Sequence, residues 1–297
     1  MPSAADYLTT HKATRTLIVG DPGASKSTAC ALLATSPLID RLFVIDLDDN
    51  WRGPLRLLPK EALPKIHIET LKDRISLDAK GRYTPVVRGV PTAFPTLVRL
   101  LNEWIDSASG ESFGPPEGWT PRDILIIDGL SGLAVSSMYY TMYAASRMGQ
   151  QRRLKDWGNA IERFEGVVQV LNSALPCHVV TTAHLCRLAP ERDETDDDDT
   201  NSRGASHTKG GFVAPDNFWM RYPSALGQKL PPRLGGYFEA VVQAKRVGRD
   251  LMARHVLKTT PDDDVDVKIP MRAKDLGGME AANDKLIDII SAASHIE

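Results

Sequence analysis

Cysteine is scarce: Cys30, Cys177 and Cys186 are the only three, far apart and without CxxC spacing. That excludes a CxxC redox or metal knuckle, leaves the two near strand candidates as small buried hydrophobes, and fits a reducing cytosol. A surplus of charge is also lacking. The formal net charge is −2, so there is no global basic field and any nucleic-acid contact has to be made by particular loops. No apolar run reaches the about 18 residues of a membrane helix. Met1-Pro2-Ser3-Ala4-Ala5-Asp6 has no basic stretch leading into an apolar core, so the pattern predicts a soluble, unsecreted chain. Internal repeats and heptads are missing too. At 297 residues, one α/β domain with insertions is expected, because single cores stop growing near about 250–300 residues.

What is present is alternation. Residues 16–19, Thr-Leu-Ile-Val, form a short apolar run ending in a glycine-rich turn, and 27–35 read as a helix. The order is strand, loop, helix. A second apolar run, 42–45, stops at Asp46-Leu47-Asp48-Asp49-Asn50, at a spacing that suits a right-handed crossover to a parallel strand. Prolines punctuate 52–122 around a strand candidate at 65–70 and a helix at 94–107. Asp123-Ile124-Leu125-Ile126-Ile127-Asp128 is a continuous run of the kind buried on both faces of a sheet. A long helical stretch to about 174 precedes another buried strand at 177–184. Residues 191–200 hold seven acids in ten positions, and with the polar stretch beyond them 187–211 read as a mobile loop. Residues 237–246 and 255–259 alternate as a terminal β-hairpin, and 279–291 read as a surface helix. The expected plan is a lead-in at 1–13, an α/β core with a mostly parallel central sheet at 14–260, and a tail and helix at 261–297.

Phosphate oxygens need several donors at close range, and Gly20-Asp21-Pro22-Gly23-Ala24-Ser25-Lys26-Ser27-Thr28 has the residues for it. Gly20 and Gly23 permit the turn, Lys26 brings a charge to the β- and γ-phosphates of ATP, and the Ser27 hydroxyl is a ligand for Mg2+. Ser25 departs from the usual Walker A pattern, which has glycine there; its side chain is expected either to crowd the phosphate approach or to require strained backbone geometry. Asp128 is the natural Walker B acid, placed to hold a water of the magnesium shell. Asp48 is the candidate that orients the attacking water, with Asp46 and Asp49 competing and a solvated, helix-capping acidic turn as the plainer reading. His184 stands either as a structural histidine or as a γ-phosphate sensor.

Walker A, Val44-Ile45-Asp46-Leu47-Asp48, Ile126-Ile127-Asp128-Gly129-Leu130-Ser131-Gly132-Leu133 and Val179-Val180-Thr181-Thr182-Ala183-His184 follow one another in an order that resembles the RecA-like core of P-loop ATPases. More narrowly, Trp157-Gly158, the Thr-Ala-His strand end and Gly227-Gln228-Lys229-Leu230-Pro231 resemble phage-type AAA or RecA-like nucleotide-binding proteins, some of which act in single-strand annealing recombination. The resemblance covers about residues 14–260. It implies a homo-oligomeric ring or filament with an ATP site completed by a neighbouring subunit, in the host cytoplasm if the chain is phage-encoded. It puts Asp48 in the place of a catalytic acid that is usually glutamate, and His184 in the place of a polar sensor. A DNA-binding loop would occupy about 187–226. There Arg203, Lys209 and Arg221 sit among Phe212, Phe218, Trp219 and Tyr222, either to stack bases of single-stranded DNA or to anchor the loop. Lys245 and Arg246 are candidates for reaching a neighbour's γ-phosphate. With its first strand near residue 16, the chain is expected to be a core-only member.

Three functions compete. One is an ATP-dependent protein acting on single-stranded DNA, and a second is a nucleotide-dependent assembly switch without DNA. The third, a small-molecule kinase, lacks a lid segment with paired arginines after Walker B.

Overall fold

The computed structural model describes residues 13–77, 85–173, 175–187, 220–248, 253–261, 264–269 and 280–294. In chain order the strands are β1 (Arg15–Gly20), β2 (Arg41–Asp46), β3 (Ile66–Thr70), β4 (Ile75–Leu77), β5 (Pro85–Val87), β6 (Trp104–Ile105), β7 (Ser112–Gly114), β8 (Asp123–Asp128), β9 (His178–Arg187), β10 (Arg221–Pro223), β11 (Ala240–Val247), β12 (Arg254–Lys258) and β13 (Glu280–Ala282). The helices are α1 (Lys26–Leu32), α2 (Arg52–Leu55), α3 (Ala93–Asn102), α4 (Leu130–Ala144), α5 (Leu154–Ser173), α6 (Pro231–Leu234) and α7 (Leu286–Ser294).

The apolar runs at β1, β2, β8 and β9 are rich in Val, Ile and Leu because both faces of these strands are covered. The main sheet runs β13-β12-β11-β1-β9-β8-β2-β3, with β10 added to β9. Every pairing from β11 to β3 is parallel, whereas β11–β12, β12–β13 and β9–β10 are antiparallel. The expected hairpin is therefore β11 and β12, joined to the sheet through β1.

Alternation along the strands sorts the core into two layers. Leu17, Val19, Leu125 and Ile127 face one layer with Leu97 and Leu100 of α3, Leu133 and Met138 of α4, and Phe164 and Val168 of α5. Ile18, Ile124 and Ile126 face the other with Ala29 and Cys30 of α1 and Leu286, Ile289 and Ile290 of α7. Burying each such side chain contributes about 1.5–3 kcal/mol.

The helix expected at 94–107 stops at Asn102, and Glu103 is extended, with φ −159° and ψ 120°. Trp104 is the reason. It is fully buried, with its ring 5.0 Å from that of Phe43, which stacks on Trp119 at 3.9 Å. In place of helix, β6 pairs with β7 and Asp106 caps the turn between them by accepting from the N–H groups of Ala108 and Ser109. The helix expected at 279–291 begins later, at Leu286, after β13 has joined the sheet edge. Of the loop expected at 187–226, residues 188–219 lie outside the described residues, while 221–223 form β10.

Candidate phosphate-binding site

Register brings the carboxyl ends of β1, β8 and β2 into one row with the middle of β9. Gly20 lies beside His184, Thr182 beside Asp128, and Asp128 beside Asp46. Strand β9 separates the loop strand β1 from the acid strand β8 and runs on past both, so residues in its middle, Thr182 and His184, supply side chains to both.

The loop after β1 is tightly constrained. A Cβ on Gly20 would come within 2.4 Å of the Ala244 carbonyl oxygen, so only glycine fits against β11. Gly23 has φ 77° and Ser25 φ 63°, ψ 33°. The strain expected at Ser25 is thus present, since the left-handed region crowds any Cβ. Lys26 opens α1 at 7% exposure. Its Nζ donates to the carbonyls of Gly20 (2.9 Å) and Asp21 (3.1 Å) and lies 3.2 Å from His184 Nδ1. Burial lowers the Lys26 pKa, opposed by the charges of Asp128, Asp48 and Asp21.

Asp46 does not face this space as a free acid. Its carboxylate accepts the backbone N–H groups of Asp48, Asp49 and Asn50, closing the turn in which Asp49 takes φ 56°. Burial and the neighbouring Asp128 raise the Asp46 pKa, and those three N–H groups oppose them. The turn directs Asp48 inward, its side chain 26% exposed and its Oδ2 3.6 Å from His184 Nε2. A donor at Lys26 fits a His184 with Nδ1 unprotonated, which leaves Nε2–H to face Asp48. Gly129, φ 108°, makes room, because a Cβ there would meet the Asp48 carboxyl at 2.8 Å. Asp128 is buried, its Oδ2 accepting from Trp51 Nε1 at 2.7 Å and its Oδ1 from Thr182 Oγ1. Ser27 Oγ donates to Asn50 Oδ1 at 3.3 Å.

Gly23, Ser25, Lys26, Ser27, Thr28, Asp48, Asn50, Asp128 and His184 line a cavity of about 250 Å³. That is just below the about 300 Å³ where small-molecule pockets usually begin, a size for a phosphate chain with the rest of a ligand outside. Among the described residues no three or more His, Cys, Asp or Glu side chains are grouped to hold a metal ion. The donors present suit Mg2+ shared with phosphate oxygens, which takes only one or two protein ligands.

Asn50, Trp51 and Thr182 escaped the sequence reading. Asn50 and Thr182 stood inside the runs 46–50 and 179–184 without being singled out, and Trp51 directly follows the first of them. Of the residues expected to contact DNA, Arg203, Lys209, Phe212, Phe218 and Trp219 lie outside the described residues. Arg221 is ion-paired within the chain. Its Nη1 donates to both carboxylate oxygens of Asp21 at 2.9 Å and its Nε to Asp264 at 2.7 Å, an ion-paired tether between β10 and the phosphate loop. Tyr222 lines a second cavity of about 350 Å³ with Val19, Val241 and Val265. Lys245 and Arg246 are exposed near the end of β11.

The glycine-rich loop and the acid thus sit on an α/β fold with a mostly parallel central sheet flanked by helices. No protein-family model and no curated protein matches the sequence. Among solved structures, the chain is similar to a KaiC-like protein of Pyrococcus horikoshii, at 11% identity over 82% of this chain and 77% of that one, with a TM-score of 0.37. It is also similar to the RadB recombinase, at 12% identity, 82% and 81% coverage and a TM-score of 0.34. A third is the flagellar accessory protein FlaH of Methanocaldococcus jannaschii, at 8%, 91% and 98%, with a TM-score of 0.35. At these values they carry no argument about what this chain does, and the fold class rests on its own strand order and register. No helix among the described residues is long and apolar enough to cross a membrane.

Proposed function

We propose that the chain binds ATP with Mg2+ and hydrolyses it slowly. The observation that carries this reading is the cavity in which the buried Lys26 ammonium, the Ser27 hydroxyl and the carboxylates of Asp48 and Asp128 converge. In this reading the 20–28 loop cradles the phosphates, with Lys26 exchanging its bonds to Gly20, Asp21 and His184 for phosphate oxygens. Ser27 and Asp128 would hold Mg2+, which when bound neutralises charge on the phosphoryl oxygens. Asp48 orients the attacking water and accepts its proton, and His184, between Asp48 and Lys26, senses the γ-phosphate. Turnover is slow because Asp48 is one methylene shorter than the glutamate usual at such sites, and water positioning is sensitive to about 1 Å.

The finer reading is a homo-oligomer acting on single-stranded DNA in recombination or replication, with Lys245 and Arg246 reaching a neighbour's site. The competing reading is a nucleotide-dependent assembly switch, in which slow hydrolysis at a site carrying Ser25 and Asp48 regulates protein contacts without DNA. ATP hydrolysis measured with and without single-stranded DNA at stated salt separates them, because phosphate contacts weaken steeply with salt. Slow hydrolysis is expected, with Lys26→Ala lowering it by about 100-fold or more, the scale on which one preorganised charge acts. Stimulation by DNA supports the recombination reading. Hydrolysis indifferent to DNA, with a mass that changes on adding ATP, supports the switch. No nucleotide binding by the parent protein overturns both.

A further inference from the structure

Trp51 is a buried polar donor that the ATP-site reading leaves unused. It is 3% exposed, and its indole N–H is spent on Asp128 Oδ2 at 2.7 Å. An indole has one donor and no acceptor, so this bond serves an oxygen that stays an acceptor. The donor is also neutral. An arginine or lysine there would place a charge beside Asp128, whereas indole fixes the carboxylate without adding one.

The same side chain closes a rigid unit. Asp46 gathers the N–H groups of residues 48–50, Leu47 N–H donates to the Asp128 carbonyl at 2.9 Å, and Trp51 ties the end of the turn to the Asp128 side chain. Gly132 of α4 lets this turn pack closely, since a Cβ there would meet Leu47 Cβ at 2.8 Å. Thr182 holds the other Asp128 oxygen, so the carboxylate has a donor on each side.

We propose that Trp51 is a positioning residue for the divalent ion: its indole N–H sets the orientation of the Asp128 carboxylate and joins the turn carrying Asp48 to it. The acid that serves the ion and the acid that faces the attacking water then move as one body. The inference rests on the ATP-site reading.

The test is ADP affinity of the full chain in EDTA and in Mg2+, for the parent and for Trp51→Phe, which keeps an aromatic ring and removes the N–H. In EDTA the variant should bind within about twofold of the parent, while the gain in affinity from Mg2+ falls by about tenfold or more, the scale of a hydrogen bond to a charged group. Equal weakening in both conditions, the mark of a merely structural role, overturns the inference, as does no change in either. A second measurement needs no variant: with 15N-labelled tryptophan, the Trp51 indole resonance should shift when Mg2+ is added to the ADP-bound protein. A resonance that stays put overturns the inference. A parent that binds no ADP sinks the ATP-site reading together with this one, whereas a parent that binds and gains from Mg2+ as the variant does sinks this one alone.

Discussion

Ser25 has φ 63° and ψ 33° immediately before Lys26. The left-handed region costs a residue with a Cβ about 1–2 kcal/mol, and glycine avoids that at a loss of about 0.5–1 kcal/mol of chain entropy. Ser25→Gly is therefore expected to stabilise by roughly 0.5–1 kcal/mol, raising the thermal midpoint by about 1–3 °C. Ser25→Val, whose branched Cβ is worse at positive φ, should lower it. Thermal unfolding of the two variants checks the pair, and a Gly variant no more stable than the parent would remove strain from the account. The departure from glycine was legible in the sequence. The positive φ was legible as a consequence, because the turn needs it whichever residue stands there. Arg221 shows the opposite case. Its pairing with Asp21 and Asp264 is one that no local pattern announces.

Elements carry the next level of constraint. Where the chain enters β1 it meets the start of β9: Thr14 N–H donates to His178 Nδ1 at 3.0 Å, and Thr14 Oγ1 lies 3.0 Å from the same nitrogen. Burial, helped by the charge of Arg15, lowers the His178 pKa from 6.5 to about 4. The unfolded chain takes a proton near pH 6.5 that the native state refuses until about pH 4. Stability is therefore lost as pH falls through that window, by on the order of 3 kcal/mol in full. In urea unfolding from pH 7 to 4, His178→Gln should flatten the slope over this window, and an unchanged slope would remove His178 as its source. Helix α3 teaches a related lesson. Its apolar periodicity continues past Asn102, yet burying Trp104 against Phe43 requires extended backbone, so packing overrode propensity.

At the scale of the whole molecule, α7 completes a layer. Leu286, Ile289 and Ile290 are buried in the same cluster as Ala29 and Cys30 of α1, which follows the phosphate loop. Residues 261–297 were expected to be a tail with a surface helix, because an amphipathic helix at a chain end has the same pattern whether or not its apolar stripe finds a partner. Ile289→Ala should destabilise the chain by about 2–5 kcal/mol, as large-to-small changes do in a core. Chemical denaturation would measure it, and a cost below about 0.5 kcal/mol, as at surface sites, would return α7 to the surface.

The sequence alone determined the local grammar: strand, glycine-rich loop and helix at 16–35, and a buried strand ending in Asp128. Strand alternation, turn residues and buried apolar runs are properties of short segments, and short segments carry them unaided. What only the tertiary structure decided is who stands beside whom. The insertion of β9 between β1 and β8 brings His184 to Lys26 and Thr182 to Asp128, and the folding of residues 46–51 brings Trp51 to a carboxylate 77 residues away. Such neighbours follow from strand order and long-range packing, which are settled by the burial of both faces of the whole sheet and leave no mark in any single stretch of chain.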